Sequence, residues 1–336
     1  MSFPSFIKGQ LFFTPPKPTT DFHGKTIIVT GANTGLGLDC TKHLAKLNAS
    51  RIILACRSLE KGEKAKQEVL QQFPKSNTIL EVWPLDLASY DSVIQFADRC
   101  NSLERLDAFM ENAGISTQKF SMAEEDEMSI TVNVVSATLL TILLLPKLKD
   151  SAKQYGIVPV VSVVSSIVHA AAKTKDIMAA PKGKIFETLS DQKTADMSDR
   201  YNLSKLLVLL SMRELSQRIE ASVRDGQPRI IVNNPAPGWA KTELFREDYD
   251  LWPLPQKLAF KAIHRTSEVA SRCLIHGLTA EVDSQGEWLS DCAVKPASSF
   301  TRSQYGQDIQ MRIWAELMEK LGRISPDVDL ALGSLR

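Results

Sequence analysis

The chain has 336 residues, 43% apolar and 24% charged, the proportions of an ordinary globular protein. Its formal net charge is +1, so the charge balance gives no reason to expect nucleic acid or an acidic surface as partner. The five cysteines (Cys40, Cys56, Cys100, Cys273, Cys292) are scattered, with no C-x-x-C pair. They read as free thiols of a reducing, cytoplasmic compartment, not as a disulfide framework or a zinc site.

Residues 1–23 carry Phe3, Phe6, Ile7, Leu11, Phe12 and Phe13 ahead of Pro15, Pro16 and Pro18, without the long apolar run of a secretory signal. They read as an N-terminal arm that packs on the domain surface; the alternatives are peripheral membrane association or a lid over an apolar site. Residues 24–336 read as one catalytic domain with a C-terminal helical extension. Lys25–Thr30 is a strand ending at Gly31, and Leu36–Leu47 has helical spacing. Strand Arg51–Cys56, helix Leu59–Phe73, strand Ile79–Leu85, helix Ser92–Leu103 and strand Leu106–Met110 follow. Glu124–Leu148 reads as one long helix with a very apolar middle, Ile157–Ser165 as a valine-rich strand, Tyr201–Val223 as a long helix and Arg229–Val232 as a sixth strand. No run reaches the roughly 18 uninterrupted apolar residues of a transmembrane span.

Continuous apolar strands alternating with helices predict an α/β fold: a single doubly wound, Rossmann-type parallel sheet with helices on both faces. Two segments break the rhythm. Lys173–Arg200 is a polar insertion, and Trp239–Ile263 is irregular. Loops at the carboxyl ends of such strands border the ligand, so the insertion is expected to shape a substrate entrance.

Thr30-Gly31-Ala32-Asn33-Thr34-Gly35-Leu36-Gly37 sits where the first strand becomes the first helix of the sheet. Glycines there let the backbone approach a pyrophosphate, and the helix N-terminus favours its charge. The expected cofactor contacts are Gly31, Asn33, Thr34, Gly35, Leu36 and Gly37. Arg57 follows twenty residues after Gly37, where an arginine suits the 2′-phosphate of NADP and an acid would suit NAD. Asp86, beside Leu87, can accept from the adenine amino group or cap the chain at Ala88, and the two roles are compatible. Asn112-Ala113-Gly114 is either a strand-end turn or a direct cofactor contact.

Tyr201 and Lys205 stand at i and i+4 on one helix face. An ammonium near a phenol favours the phenolate, so the Tyr201 pKa is expected to fall from about 10 toward the range useful for proton transfer. Ser166, at the end of the fifth strand, can hold a substrate oxygen or merely end the strand. Asn133 can orient a water linking Lys205 to solvent, or be a helix amide satisfied by backbone. Pro237-Gly238 and Thr242 lie on a loop able to close over the nicotinamide.

In this order, Gly31, Gly35, Gly37, Asp86, Asn112-Ala113-Gly114, Asn133, Ser166, Tyr201, Lys205 and Pro237-Gly238 with Thr242 resemble the short-chain dehydrogenase/reductase family. The resemblance runs from about Gly24 to Leu321. Ala55-Cys56-Arg57 with Glu60-Lys61-Gly62, and Gly286-Glu287-Trp288 with Asp291-Cys292, resemble its retinol-dehydrogenase-like and fungal secondary-metabolite branches. The resemblance implies a catalytic tetrad of Asn133, Ser166, Tyr201 and Lys205, with NADP(H) favoured through Arg57. Two departures stand out: the long Ser166–Tyr201 interval, and Glu111 where an asparagine often precedes Asn-Ala-Gly.

The expected function is therefore NADP(H)-dependent interconversion of a carbonyl and an alcohol on a lipophilic small molecule, in secondary metabolism. A cofactor-sensing or a non-redox biosynthetic protein on the same fold is the alternative. Trp239, Phe245, Trp252 and Phe260 suggest the lipophilic substrate. Leu139–Leu148 either faces a second subunit in a homo-oligomer or is buried against its own sheet.

Overall fold

The computed structural model describes residues 3–224, 226–245 and 254–333. Helix α1 (Phe3–Phe12) precedes β1 (Thr26–Thr30), α2 (Gly35–Lys46), β2 (Arg51–Cys56), α3 (Leu59–Gln72), β3 (Ile79–Pro84), α4 (Tyr90–Asn101) and β4 (Ala108–Glu111). A two-stranded hairpin follows, β5 (Met122–Ala123) with β6 (Asp126–Glu127). Next come α5 (Met128–Ile130), a π-helical turn at Thr131–Ser136 and α6 (Ala137–Tyr155), then β7 (Val160–Val163), α7 (Lys175–Ala179) and α8 (Ile185–Leu189). The chain continues through α9 (Arg200–Arg224), β8 (Ile231–Ala236), α10 (Leu254–Ile263), α11 (Ser267–Thr279), β9 (Trp288–Ser290), β10 (Val294–Lys295), α12 (Ser299–Arg302), α13 (Gln304–Ile324) and α14 (Asp327–Gly333).

The main sheet has eight strands in the order β10-β9-β8-β7-β4-β1-β2-β3, all pairings parallel except β9–β10. Each central strand feeds both faces. In β1, Ile28 joins an apolar cluster with Phe109, Val161 and Val232, while Ile27 and Val29 join another with Ile52, Leu54 and Met110. Burial on both sides explains the unbroken apolar runs. Serine caps start the surface helices: Ser58 accepts from the Lys61 amide, Ser89 from Ser92 and Ser303 from Gly306. The chain reverses direction across the sheet between β1 and β4, and ligand crevices in doubly wound folds open at such a point.

Four sequence expectations are corrected. The stretch expected to be helical from Glu124 begins instead as the hairpin, because Glu124 takes a positive φ of 54°. The Glu127 carboxylate then caps the following turn through the Ser129 and Ile130 amides. The helix also runs past Leu148 to Tyr155, with Pro146 exposed on its surface. The sixth strand lies later than Arg229–Val232, extending through Asn233, Asn234 and Pro235 to Ala236. Finally, no residue of the 173–200 insertion lines the crevice that carries the glycine turn and Tyr201. The insertion packs on α13, where Arg312 donates to the Ala180 carbonyl and Glu316 accepts from the Gly183 and Ile185 amides. Its ends are drawn together by the Lys173 amide on Asp199, so a long interval in sequence becomes a short excursion in space.

Leu139–Leu145 and Leu148 are buried against the protein's own core, which accounts for their apolar character without a second subunit. The helix from Met128 to Tyr155 is long and apolar enough to cross a membrane by composition, but it is the packed core helix of this sheet. In the arm, Phe6, Gln10 and Phe22 are buried while Phe12 is 82% exposed. Trp252 and the Phe245 side chain lie outside the described residues.

Candidate active site

Three backbone facts shape the glycine-turn end of the crevice. Gly31 and Gly35 have φ of 62° and 55°, a region that side chains resist. A Cβ at Gly37 would collide with the Gly31 carbonyl oxygen and lie 2.7 Å from the Asn112 amide nitrogen. Thr34 caps α2 without a side-chain hydrogen bond, so the first-turn amides beside Gly35 and Leu36 have no partner from their cap. Strand ends β1 and β4 are tied beneath them. Asn112 Nδ2 donates to the Thr30 carbonyl, and the Asn112 and Ala113 amides both donate to the Thr30 hydroxyl, all at 2.9 Å.

Above this floor lies a crevice of about 680 Å³. Gly31, Asn33, Thr34, Gly35, Leu36, Arg57, Asp86, Leu87, Asn112, Ala113, Gly114, Ser166, Tyr201, Lys205, Pro237, Gly238 and Thr242 all line it. Gly37 and Asn133 stand just behind the wall. Arg57 is exposed at the mouth, with no ion-pair partner among the described residues. Asp86 accepts from the Ala88 amide at 3.0 Å and so makes its capping bond while facing the crevice. Thr242 comes within ordinary contact distance, 3.5 Å, of the Cβ position of Gly35, closing the loop after β8 toward the glycine turn.

The other end gathers the groups expected to handle the proton. Ser166 starts a short 3-10 helix, receiving the Val168 amide, and its hydroxyl hydrogen-bonds the Tyr201 phenol. Lys205 extends from the next turn of α9 to donate to the Val164 carbonyl at 2.8 Å, with Nζ 5.9 Å from the Tyr201 ring centroid. Asn133 lies in the π-helical turn. Its Oδ1 accepts from the Ile115 amide, and its Nδ2 donates to the Ile115 carbonyl and the Ser204 hydroxyl. A Cβ on Gly114 would sit 3.0 Å from Asn133 Oδ1 and 3.8 Å from Lys205 Nζ, so these two groups flank the same glycine. π-turns recur at functional sites because they re-aim one side chain within a helix.

The electrostatics differ from the sequence expectation at one point. Burial pushes the Tyr201 phenol above its usual value, because a phenolate is costly to desolvate, with the Ser166 bond pulling the other way. Burial pushes Lys205 down to about 8, opposed by the Glu111 carboxylate. Glu111 is pushed up to about 8, again by burial, with the Thr30 hydroxyl and Lys205 opposing.

Beyond Tyr201 the crevice continues between Ile115, Phe120, Met128, Val132, Val168, Trp239 and Leu244, an apolar lining that fits a lipophilic molecule. Of these only Trp239 stood out in the sequence. The rest sit on loops, on the π-turn and in helices of five residues or fewer, where no periodicity marks the inward side. Phe260, also singled out, packs behind Trp239 at 6.1 Å between ring centroids.

Comparison with known proteins gives concordant findings. The family model for the short chain dehydrogenase matches residues 25–174. The short chain dehydrogenase/reductase dmxR8 of Cryptosporiopsis sp. is 40% identical over 328 residues, covering 96% of this chain and 98% of the relative. The short-chain dehydrogenase anuD of Penicillium roqueforti is 38% identical over 334 residues, covering 99% and 86% respectively. Among solved structures, a short-chain dehydrogenase from Sphingobium yanoikuyae in complex with NADPH superposes with a TM-score of 0.54 at 16% identity, covering 87% of this chain and 95% of that one. That likeness is one of fold.

Proposed function

The chain belongs to the short-chain dehydrogenase/reductase family, an oxidoreductase family, and on that premise we propose that it reduces a carbonyl on a lipophilic small molecule with NADPH. The observation that carries this reading is the meeting of the Tyr201 phenol, the Ser166 hydroxyl and the Lys205 ammonium at one end of a glycine-floored crevice.

The crevice fits a dinucleotide. Gly31, Gly35 and Gly37 leave the space that side chains would fill, and the first-turn amides of α2 suit a pyrophosphate. Arg57 suits a 2′-phosphate, Asp86 and Leu87 suit the adenine side, and Pro237, Gly238 and Thr242 suit the nicotinamide end. The NADPH in the Sphingobium structure is consistent with this cofactor. When bound, the nicotinamide supplies the hydride.

The remaining work falls to the protein. Ser166 holds the substrate oxygen, and Tyr201 passes its proton to that oxygen. The raised phenol pKa keeps Tyr201 protonated, which suits an acid acting in the reductive direction. Lys205 holds the ribose and stabilises the phenolate left behind, while Asn133, fixed by Ile115 and Ser204, supports the proton relay beside Gly114. Residues 24–336 act as the catalytic unit and residues 1–23 as an arm against it. The relatives come from filamentous fungi, which supports a place in secondary metabolism. Consumption of NADPH by the purified protein, screened against hydrophobic ketones and aldehydes, tests the reading. Turnover with at least one and none with NADH alone is expected, and no turnover with any member of a broad panel overturns it.

A further inference from the structure

Gln10, far from the crevice in sequence and absent from its lining, is buried at 6% exposure. Its side-chain amide bonds the backbone of two segments, at Trp239 and at Ile263. Nε2 donates to the Trp239 carbonyl at 2.7 Å and to the Ile263 carbonyl at 2.9 Å, and Oε1 accepts from the Trp239 amide at 3.2 Å. One turn earlier, Phe6 is buried edge-on against the Trp239 ring, 5.4 Å between centroids. Arg265 completes the joint. It donates to the Pro237 carbonyl, to the Gly9 and Phe13 carbonyls at the end of α1, and to Asp291. Gly238, at φ 80°, has no room for a Cβ, which would lie 2.5 Å from Gln10 Oε1. The 237–240 loop is thus grasped from behind by α1, while its front, including Trp239, faces the ligand space.

The geometry points to α1 as a positioning element of the site: through Gln10 and Phe6 it fixes the 237–240 loop and the tilt of Trp239, and so sets how closely the crevice fits cofactor and substrate. The inference rests on the reading above, which makes this loop a wall of the nicotinamide and substrate subsites. A loop whose amide and carbonyl both bond one buried side chain loses two constraints at once when that side chain is cut back; the Trp239 carbonyl keeps its bond from the Arg265 amide, while the Trp239 amide and the Ile263 carbonyl lose the Gln10 bond. Looseness of a binding wall raises KM and cofactor Kd more than it lowers kcat, because the proton-handling groups on α9 and after β7 are held separately.

The test compares wild type with Gln10→Ala, Phe6→Leu and, as control, Phe12→Ser at a site 82% exposed. Three quantities are read: acrylamide quenching of Trp239 (isolated by difference from Trp239→Phe), NADPH Kd by titration, and KM and kcat for acetophenone and the bulkier acetonaphthone. Gln10→Ala is expected to expose Trp239 to quencher, to raise NADPH Kd and ketone KM about fivefold or more, and to keep kcat within about threefold. Phe6→Leu is expected to change the KM ratio of the two ketones, and Phe12→Ser to match wild type. If Gln10→Ala does not accumulate as folded protein, Gln10→Met, which keeps the length of the side chain and loses its hydrogen bonds without adding a charge, carries the same readouts with changes in the same direction expected. Unchanged quenching, Kd and KM in the Gln10 variant, or equal changes in Phe12→Ser, overturn the inference. Quenching needs neither NADPH nor ketone, so a wild-type protein that reduces no ketone defeats the proposed function alone and leaves this arm to decide.

Discussion

Glu111 and Lys205 are buried together and joined through one residue: the Val164 amide donates to the Glu111 carbonyl at 2.8 Å, and Lys205 Nζ donates to the Val164 carbonyl at 2.8 Å. The two side chains oppose each other's response to burial, the carboxylate keeping the lysine charged and the ammonium keeping the carboxyl ionised.

Glu111→Gln keeps the shape and removes the negative charge. Lys205, already down to about 8 through burial, then falls further, since the negative charge that opposes the effect of burial is gone. A lysine with a depressed pKa loses its charge as pH rises through that value, so the alkaline limb of kcat/KM for reduction is expected to move to lower pH by about one unit. A pH profile of both proteins checks this; an unmoved limb means that Glu111 does not sustain the Lys205 charge.

Arg57 stands at the crevice mouth with no ion-pair partner among the described residues. Arg57→Asp is expected to weaken NADPH about tenfold to a hundredfold while changing NADH little, the range of a lost charge-assisted bond to phosphate. Titration with each cofactor measures the ratio, and equal losses would remove Arg57 from 2′-phosphate recognition.

His169 links the strand end that carries Ser166 to the C-terminal segment. Its Nδ1 lies 2.6 Å from the Ser166 carbonyl and its Nε2 accepts from the Ser298 amide at 3.1 Å, an arrangement that requires the neutral ring. Burial pushes it down to about 4. The unfolded chain takes up the proton near 6.5 while the folded one refuses it, so the stability this group contributes is complete above 6.5 and is lost as pH falls toward 4. Between pH 7 and 5 the loss is expected to be about 2 kcal/mol. His169→Asn should lack that component, read as the difference between the two proteins' urea-unfolding free energies at each pH; the same pH dependence in both would refute it.

Much of this was legible in the chain. Strands β1 and β2 are unbroken apolar runs because both faces of the sheet are covered, and the glycine turn is marked by positions where backbone alone fits. What escaped the sequence depends on partners far along the chain. The end of β8 hides because Asn233 and Asn234 are polar yet fully buried. Asn233 accepts from Ser162 and donates to Gly277, neither of which a local pattern can supply. The hairpin before α5 is fixed partly by Ser190, which receives the Glu127 amide from 63 residues away. The insertion reads as polar loop, but Ile177, Ile185, Phe186 and Leu189 are buried in the main core, too few and too irregularly spaced to announce two short helices. Gln10 carried no signal at all, since its meaning lies in the backbone of residues 239 and 263.

The central claim is that Tyr201 transfers the proton, and Tyr201→Phe tests it most directly because it removes one oxygen and leaves the ring in place. Single-turnover reduction of a ketone substrate and NADPH titration should be measured on the same preparation. The account predicts NADPH affinity within about twofold of wild type and a reduction rate lower by about a hundredfold to ten-thousandfold. A rate near that of wild type would contradict it.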